Sequence, residues 1–175
     1  MKPGYWVLLL ILVAVPYATG LDNDFVYDDH GSIAENPFLS EPGALRKLLT
    51  LQTITDPSVP DGLRPLAVVS YLADAAVWGM KPFGFHLTNL LLHLLVTALL
   101  AALVLRIQPD KNAFPAYAAA LLYGLNPALT ECVQCPAFRE DILLTLFTLL
   151  FLWSTTRRQT LWLSIPALEI GRAHV

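Results

Sequence analysis

Two groups of ionisable residues dominate the chemistry open to this 175-residue chain. The first is Asp28-Asp29, directly behind Phe25-Val26-Tyr27. Adjacent carboxylates repel one another, which favours proton uptake by one of them. A carboxylate that takes up a proton readily is a better general base toward a hydroxyl, and the aromatic neighbours would supply a low-dielectric wall. The alternative is a cap on a helical turn starting near Gly31-Ser32. The second group is Glu131, Arg139, Glu140 and Asp141. Ionisable groups beside a short apolar run are costly unless they face a polar cavity or one another. An arginine there has the planar fork of donors that suits a phosphate. Otherwise the group is an Arg–carboxylate cluster that ends the apolar run.

Three further patterns carry weaker chemistry. His86, Asn89, His93 and Thr97 are spaced three, four and four apart and so share one helical face. In lipid that face turns towards neighbouring helices or water, and His86 and Asn89, nearer one end, are also placed to touch a ligand. Asp22-Asn23-Asp24 has a spacing that could hold a divalent cation. Cys132-Val133-Gln134-Cys135 has redox spacing but lacks the second Cys/His pair of a zinc site, which leaves a local disulfide or two unpaired thiols. The sequence shows no Gly-rich phosphate loop, Gly-x-Ser-x-Gly elbow or His-Glu-x-x-His motif.

The elements that position these groups are apolar helices. The chain is 55% hydrophobic and 14% charged, with a mean hydropathy of +0.55. Charge that sparse cannot cover a soluble globule, so the composition points to an all-α membrane protein and excludes a disordered chain. Eleven basic against fourteen acidic residues give a net charge of −3, which argues against nucleic-acid binding. A helix needs about 20 apolar residues to cross the hydrocarbon. The predicted spans are Tyr5 to Gly20 (a signal peptide in a rival reading), Phe83 to Leu105, Asn112 to Thr130 bent or ended by Pro127, and Ile142 to Thr156. A fifth starts near Thr160. Simple alternation puts Lys2, Arg106/Lys111 and Arg157/Arg158 on one side, as the positive-inside rule requires.

That topology makes 21–82 a long non-cytoplasmic loop with nine acids against four bases. Within it, Pro42 to Leu51 has Ala44, Leu45, Leu48 and Leu49 on one helical face, and Pro65 to Trp78 is a second apolar stretch with one acid, Asp74. Both read as interfacial helices, with a small soluble cap as the alternative. The organisation expected is thus 1–20 first span, 21–82 outer loop, 83–168 later spans, and a tail, 169–175, that resembles adapter read-through on an amino-terminal fragment.

Taken in order, the motifs resemble a known family. One span precedes Phe25-Val26-Tyr27-Asp28-Asp29; then come Asn36-Pro37, Arg64-Pro65-Leu66, and Phe85-His86-Leu87-Thr88-Asn89-Leu90-Leu91-Leu92-His93. Asn126-Pro127-Ala128-Leu129-Thr130-Glu131 and Arg139-Glu140-Asp141-Ile142-Leu143 follow. Between about Trp6 and Trp153 the chain is similar to the transmembrane and tetratricopeptide-repeat O-mannosyltransferase-like proteins, of the GT-C superfamily. It departs from them where they often carry histidines and this chain has Asn126 and Leu129, with Glu131 retained. The tetratricopeptide repeats are missing, which fits truncation.

The resemblance implies a multi-pass, GT-C-like helical bundle that moves a sugar from a polyprenyl-phosphate donor to a hydroxyl acceptor on protein or glycan, with inversion. Asp28 by preference, or Asp29, would be the base. Arg139, or failing that Arg64, would hold the departing phosphate, with His86, Asn89, Glu131 and Asp141 around the lipid-sugar. No metal or other cofactor is required, because lipid phosphate is already a good leaving group. A transporter or a non-catalytic membrane scaffold is the competing reading. Ionisable groups near one boundary, beside a long outer loop, favour the enzyme, since a transporter places them at mid-bilayer.

Overall fold

The computed structural model describes residues 3–50, 59, 62–108 and 112–156. Every regular element among them is helical. Helix α1 spans Pro3–Ala18 and runs into a 3-10 turn, Thr19–Asp22. A five-residue π-turn, His30–Ala34, a 3-10 turn, Pro37–Ser40, and helix α2, Ala44–Leu49, follow. Then come α3, Pro65–Trp78, α4, Pro82–Ile107, and α5, Phe114–Gly124. Helix α6, Thr130–Gln134, lies between the 3-10 turns Pro127–Leu129 and Pro136–Phe138, and α7, Arg139–Thr155, completes the described fold.

Two of these helical stretches, Gly4–Asp22 and Pro82–Ile107, are long and apolar enough to cross a membrane. At about 1.5 Å per residue the 26 residues of α4 reach ~39 Å, beyond the ~30 Å of hydrocarbon. Helix α4 is the central post: α1, α3, α5 and α7 all pack against it. Its polar stripe faces inward, with His86, Asn89, His93 and Thr97 all buried. His93 Nε2 lies 3.0 Å from the Gly124 carbonyl and stacks on Tyr123, while Thr97 donates back to the His93 carbonyl of its own helix.

The third predicted span is shorter than expected. Helix α5 stops at Gly124, only eleven residues long (~16 Å), six residues short of Thr130. Two features stop it. The Gly124 carbonyl accepts from Tyr17 Oη at 3.1 Å as well as facing His93, and Gly124 packs so tightly on Val13 that a Cβ would lie 2.7 Å from it. Asn126-Pro127 then opens a 3-10 turn in which Asn126 Oδ1 accepts from the Ala128 N–H, and Pro127, at the first position, needs no partner for its nitrogen. Asn36-Pro37 repeats the device, its Oδ1 accepting from Phe38 N at 3.0 Å. The interval predicted as the fourth span is helical as α7, which begins three residues earlier, at Arg139. The predicted fifth span and the 169–175 tail lie outside the described residues.

Residues 21–78 contribute to a second core. Leu9, Val13, Val96, Ala120, Ile142 and Leu146 belong to the core between the long helices. Phe25, Ile33, Phe38, Leu48, Val68, Tyr71 and Phe85 form a separate one, joining the first loop to α3 and the start of α4. The interval expected to be helical, Pro65 to Trp78, is α3. The stretch starting at Pro42 is helical only over six residues, and its apolar face divides: Ala44 and Leu48 are buried, whereas Leu45 and Leu49 are exposed. Between α3 and α4 the chain turns at Gly79, whose φ of +66° suits glycine, and the turn brings Trp78 onto Gly84.

Candidate functional site

The site is assembled around one short turn, residues 135–140, at the start of α7. Asp29 grips its beginning. The Asp29 side chain is fully buried; its Oδ1 accepts from the Ala137 N–H at 2.7 Å and from the Cys135 thiol at 3.2 Å. Its Oδ2 accepts from the Val26 N–H at 3.1 Å, reaching back along the chain rather than forward to cap the His30–Ala34 turn. Asp29 is thus a structural peg. Asp28, next to it, is exposed. Before it, Tyr27 adopts φ 48°, a left-handed conformation uncommon for a residue with a Cβ, and is 87% exposed. Backbone strain of this kind persists only where surrounding contacts hold it, and the Asp29 hydrogen bonds are those contacts.

Arg139 follows the turn and has no exposed surface. Its Nε donates to Asn89 Oδ1 at 2.6 Å, Nη1 to Ser70 Oγ at 3.0 Å, and Nη2 to the Phe85 carbonyl at 3.0 Å. Nη2 also pairs with Asp74 Oδ2 at 2.7 Å, and Thr88 Oγ1 donates to the other Asp74 oxygen. The Tyr71 ring lies 5.0 Å from the guanidinium carbon, and the Tyr71 hydroxyl donates to the carbonyls of Pro136 and Ala137. The guanidinium therefore ties α3, α4 and α7 together. Its carboxylate partner is Asp74, not Asp28 or Asp29, and its donors serve protein groups rather than an outward-facing phosphate. Buried charge of this kind is stable only when paired and hydrogen-bonded.

The other sequence-nominated residues divide by exposure. Asn89 is part of the Arg139 network, and its amide also donates to the Cys132 carbonyl at 3.0 Å. His86 is 2% exposed and lies near the backbone of Asn23 and Asp24. Glu131, in the first turn of α6, and Asp141, in the first turn of α7, are both exposed. Both cysteines are free thiols, and Cys132 donates to Asp141 Oδ2 at 3.6 Å. Asp22 and Asp24 are exposed, and among the described residues no three His, Cys, Asp or Glu side chains gather as metal ligands would.

Arg64 stands half-exposed at the N-terminal end of α3, 2.8 Å from Glu140. Behind the pair lies a groove of about 360 Å³ between α3 and α7, walled by Leu66, Ala67, Leu143, Leu144 and Phe147. It is a greasy channel with a cation at its head. Sequence reading nominated Arg64 second and did not find Ser70, Tyr71 or Asp74 as partners of Arg139. The signal for Asp74 was present: a lone acid in an otherwise uncharged helix needs a partner nearby.

The chain is 34% identical to a Mus musculus protein named Protein O-mannosyl-transferase TMTC1 over 150 residues, 81% of this chain and 15% of that protein. It is 33% identical to Protein O-mannosyl-transferase Tmtc1 of Drosophila melanogaster (75% of this chain, 16% of the relative). It is 28% identical to Protein O-mannosyl-transferase TMTC4 of Homo sapiens (85% and 22%). The chain thus spans less than a quarter of the length of these curated relatives. No family model matches it, and no solved structure does.

Proposed function

From the premise that this chain is a relative of the protein O-mannosyl-transferases over some four-fifths of its length, we propose that it forms the donor-side part of a membrane glycosyltransferase. The reading rests on one observation above all: the 135–140 turn is held at one end by Asp29, next to the exposed Asp28, and at the other by Arg64 through Glu140. The turn couples a carboxylate to a cation that heads an apolar groove. An amphiphile with an isoprenoid tail and a phosphate head matches that groove, the tail against Leu143, Leu144 and Phe147 and the phosphate at Arg64.

In this reading Asp28 takes the proton from the acceptor hydroxyl. The hydroxyl oxygen bonds to the anomeric carbon from the face opposite the phosphate, the bond from that carbon to the phosphate oxygen breaks, and the configuration inverts. Negative charge develops on the departing lipid phosphate, where a fixed cation lowers the barrier most. Arg64 supplies that cation by exchanging Glu140 for phosphate. Arg139 positions the turn from beneath. No metal ion is assigned to the step.

The test uses the complete gene product in membranes, with a polyprenyl-phosphate mannose donor and a Ser/Thr peptide acceptor. Asp28→Asn is expected to lower transfer by at least about a hundredfold, as loss of a general base does, with membrane insertion intact. Arg64→Gln is expected to raise the donor KM. Near-normal transfer by Asp28→Asn removes Asp28 from the base role.

A further inference from the structure

The Cys132-x-x-Cys135 motif has no part in the transfer step, yet both sulfurs lie against carboxylates of the site. Cys135 Sγ is 3.2 Å from Asp29 Oδ1 and 3.9 Å from the Val26 carbonyl. Cys132 Sγ is 3.6 Å from Asp141 Oδ2. Asp29 has three donors around it, and one of them is a thiol. Burial first, and then the neighbouring carboxylates, push Cys132 up to about 11 and Cys135 up to about 12. At neutral pH both sulfurs therefore keep the proton that they donate.

We propose that Cys135 is a positioning residue for the Asp28 turn, acting through Asp29, and that a Cys132–Cys135 disulfide is the modification that withdraws it. The consequence for transfer rests on Asp28 being the base; the anchoring of the turn does not. Cys132 lies inside α6 and Cys135 is its C-terminal cap, three positions on. Cys135 has left the helix at φ −114° and ψ 104°, and its sulfur faces Asp29 while that of Cys132 faces Asp141, so closing the bond to the ~3.8 Å Cβ separation of a disulfide requires the cap to move. Cys132 is the more accessible thiol and reacts first. In the small fraction that has lost its proton, its sulfur attacks a small-molecule disulfide such as oxidised glutathione, and one glutathione leaves and takes up a proton in place of the one Cys132 gave up. Cys135 then attacks Cys132 Sγ, and the second glutathione leaves with the Cys135 proton. Two protein thiols are oxidised and one glutathione disulfide is reduced. Asp29 Oδ1 loses its sulfur donor, and the turn holding Tyr27 at φ 48° loses one of its anchors.

The experiment poises the complete membrane protein at a series of reduced-to-oxidised glutathione ratios. It reads the disulfide by mass, hydrogen exchange of the Val26 and Ala137 amides, and transfer. Oxidation is expected to speed exchange at both amides about tenfold, the worth of one hydrogen bond to a charged acceptor, and dithiothreitol to reverse it. Cys135→Ala is expected to exchange fast without oxidant. Cys135→Ser, which keeps a donor, is expected to stay protected and to ignore the oxidant, with kcat restored relative to Cys135→Ala and donor KM unchanged in both. Three results would each overturn the proposal: no disulfide at the most oxidising ratio, a disulfide with unaltered exchange, or Cys135→Ala as protected as the parent. Exchange that responds while Asp28→Asn keeps its activity leaves the anchoring intact and removes the base assignment alone.

Discussion

Replacing Arg139 by methionine should destabilise the fold itself. The guanidinium is fully buried, gives hydrogen bonds to Asn89, Ser70 and the Phe85 carbonyl, and pairs with Asp74 at 2.7 Å. Methionine fills much of the volume but leaves the Asp74 carboxylate buried without its counter-charge. Breaking a buried pair from one side costs about 3–5 kcal/mol. For a chain of this size that corresponds to a fall in Tm of roughly 6–20 °C, at about 2–4 °C per kcal/mol. Removing the carboxylate as well, in Arg139→Met/Asp74→Leu, leaves no stranded charge and should return the Tm to within a few degrees of the parent. Thermal unfolding in mild detergent, run as a double-mutant cycle, measures the coupling directly. The reasoning fails if Arg139→Met costs less than about 1 kcal/mol, or if the double variant is no more stable than the worse single one. A variant that folds normally and loses only donor affinity would instead return Arg139 to the phosphate.

Two other outcomes follow from local geometry. A Cβ at Gly84 would lie 2.2 Å from Trp78 Cγ, so Gly84→Ala should force apart the corner between α3 and α4 and cost about 1–3 kcal/mol, measured by urea unfolding in micelles. The thiols give a pH dependence with a definite sign. Their folded values, about 11 for Cys132 and about 12 for Cys135, lie above the ordinary thiol value of about 8.5. The folded state therefore binds more protons than the unfolded one, and the stability they contribute is complete below pH ~8.5 and is lost as pH rises through 11 and 12. A Cys132→Ser/Cys135→Ser variant should show a shallower loss of stability across that alkaline range.

What could be read from the sequence depended on distance along the chain. The charge-free run after Lys81 announced α4, and the 3-4-4 spacing of His86, Asn89, His93 and Thr97 identified the face that the structure buries. Local rules sufficed there. The resemblance implies one site shared by the Asp28-Asp29 pair and Arg139, and Asp29 does reach Ala137, two residues before that arginine. Which side chains would pair could not be read, because Asp74 and Arg139 are far apart in sequence and nothing in either neighbourhood names the other. Asp29, nominated for chemistry beside Asp28, is buried and accepts three hydrogen bonds from the protein; no local pattern separates an exposed aspartate from a buried one beside it. The early end of α5 depends likewise on Tyr17 and His93 reaching the Gly124 carbonyl from other helices.

The Arg139–Asp74 tie also has a consequence for biosynthesis. The ribosome makes the acid sixty-five residues before the base that neutralises it, an interval of about 3–13 s at 5–20 residues per second. Throughout that time the Asp74 carboxylate of α3 lacks its Arg139 partner, so the nascent α3 must stay hydrated or be sheltered by a chaperone. Docking of α7 is then the event that lets it close.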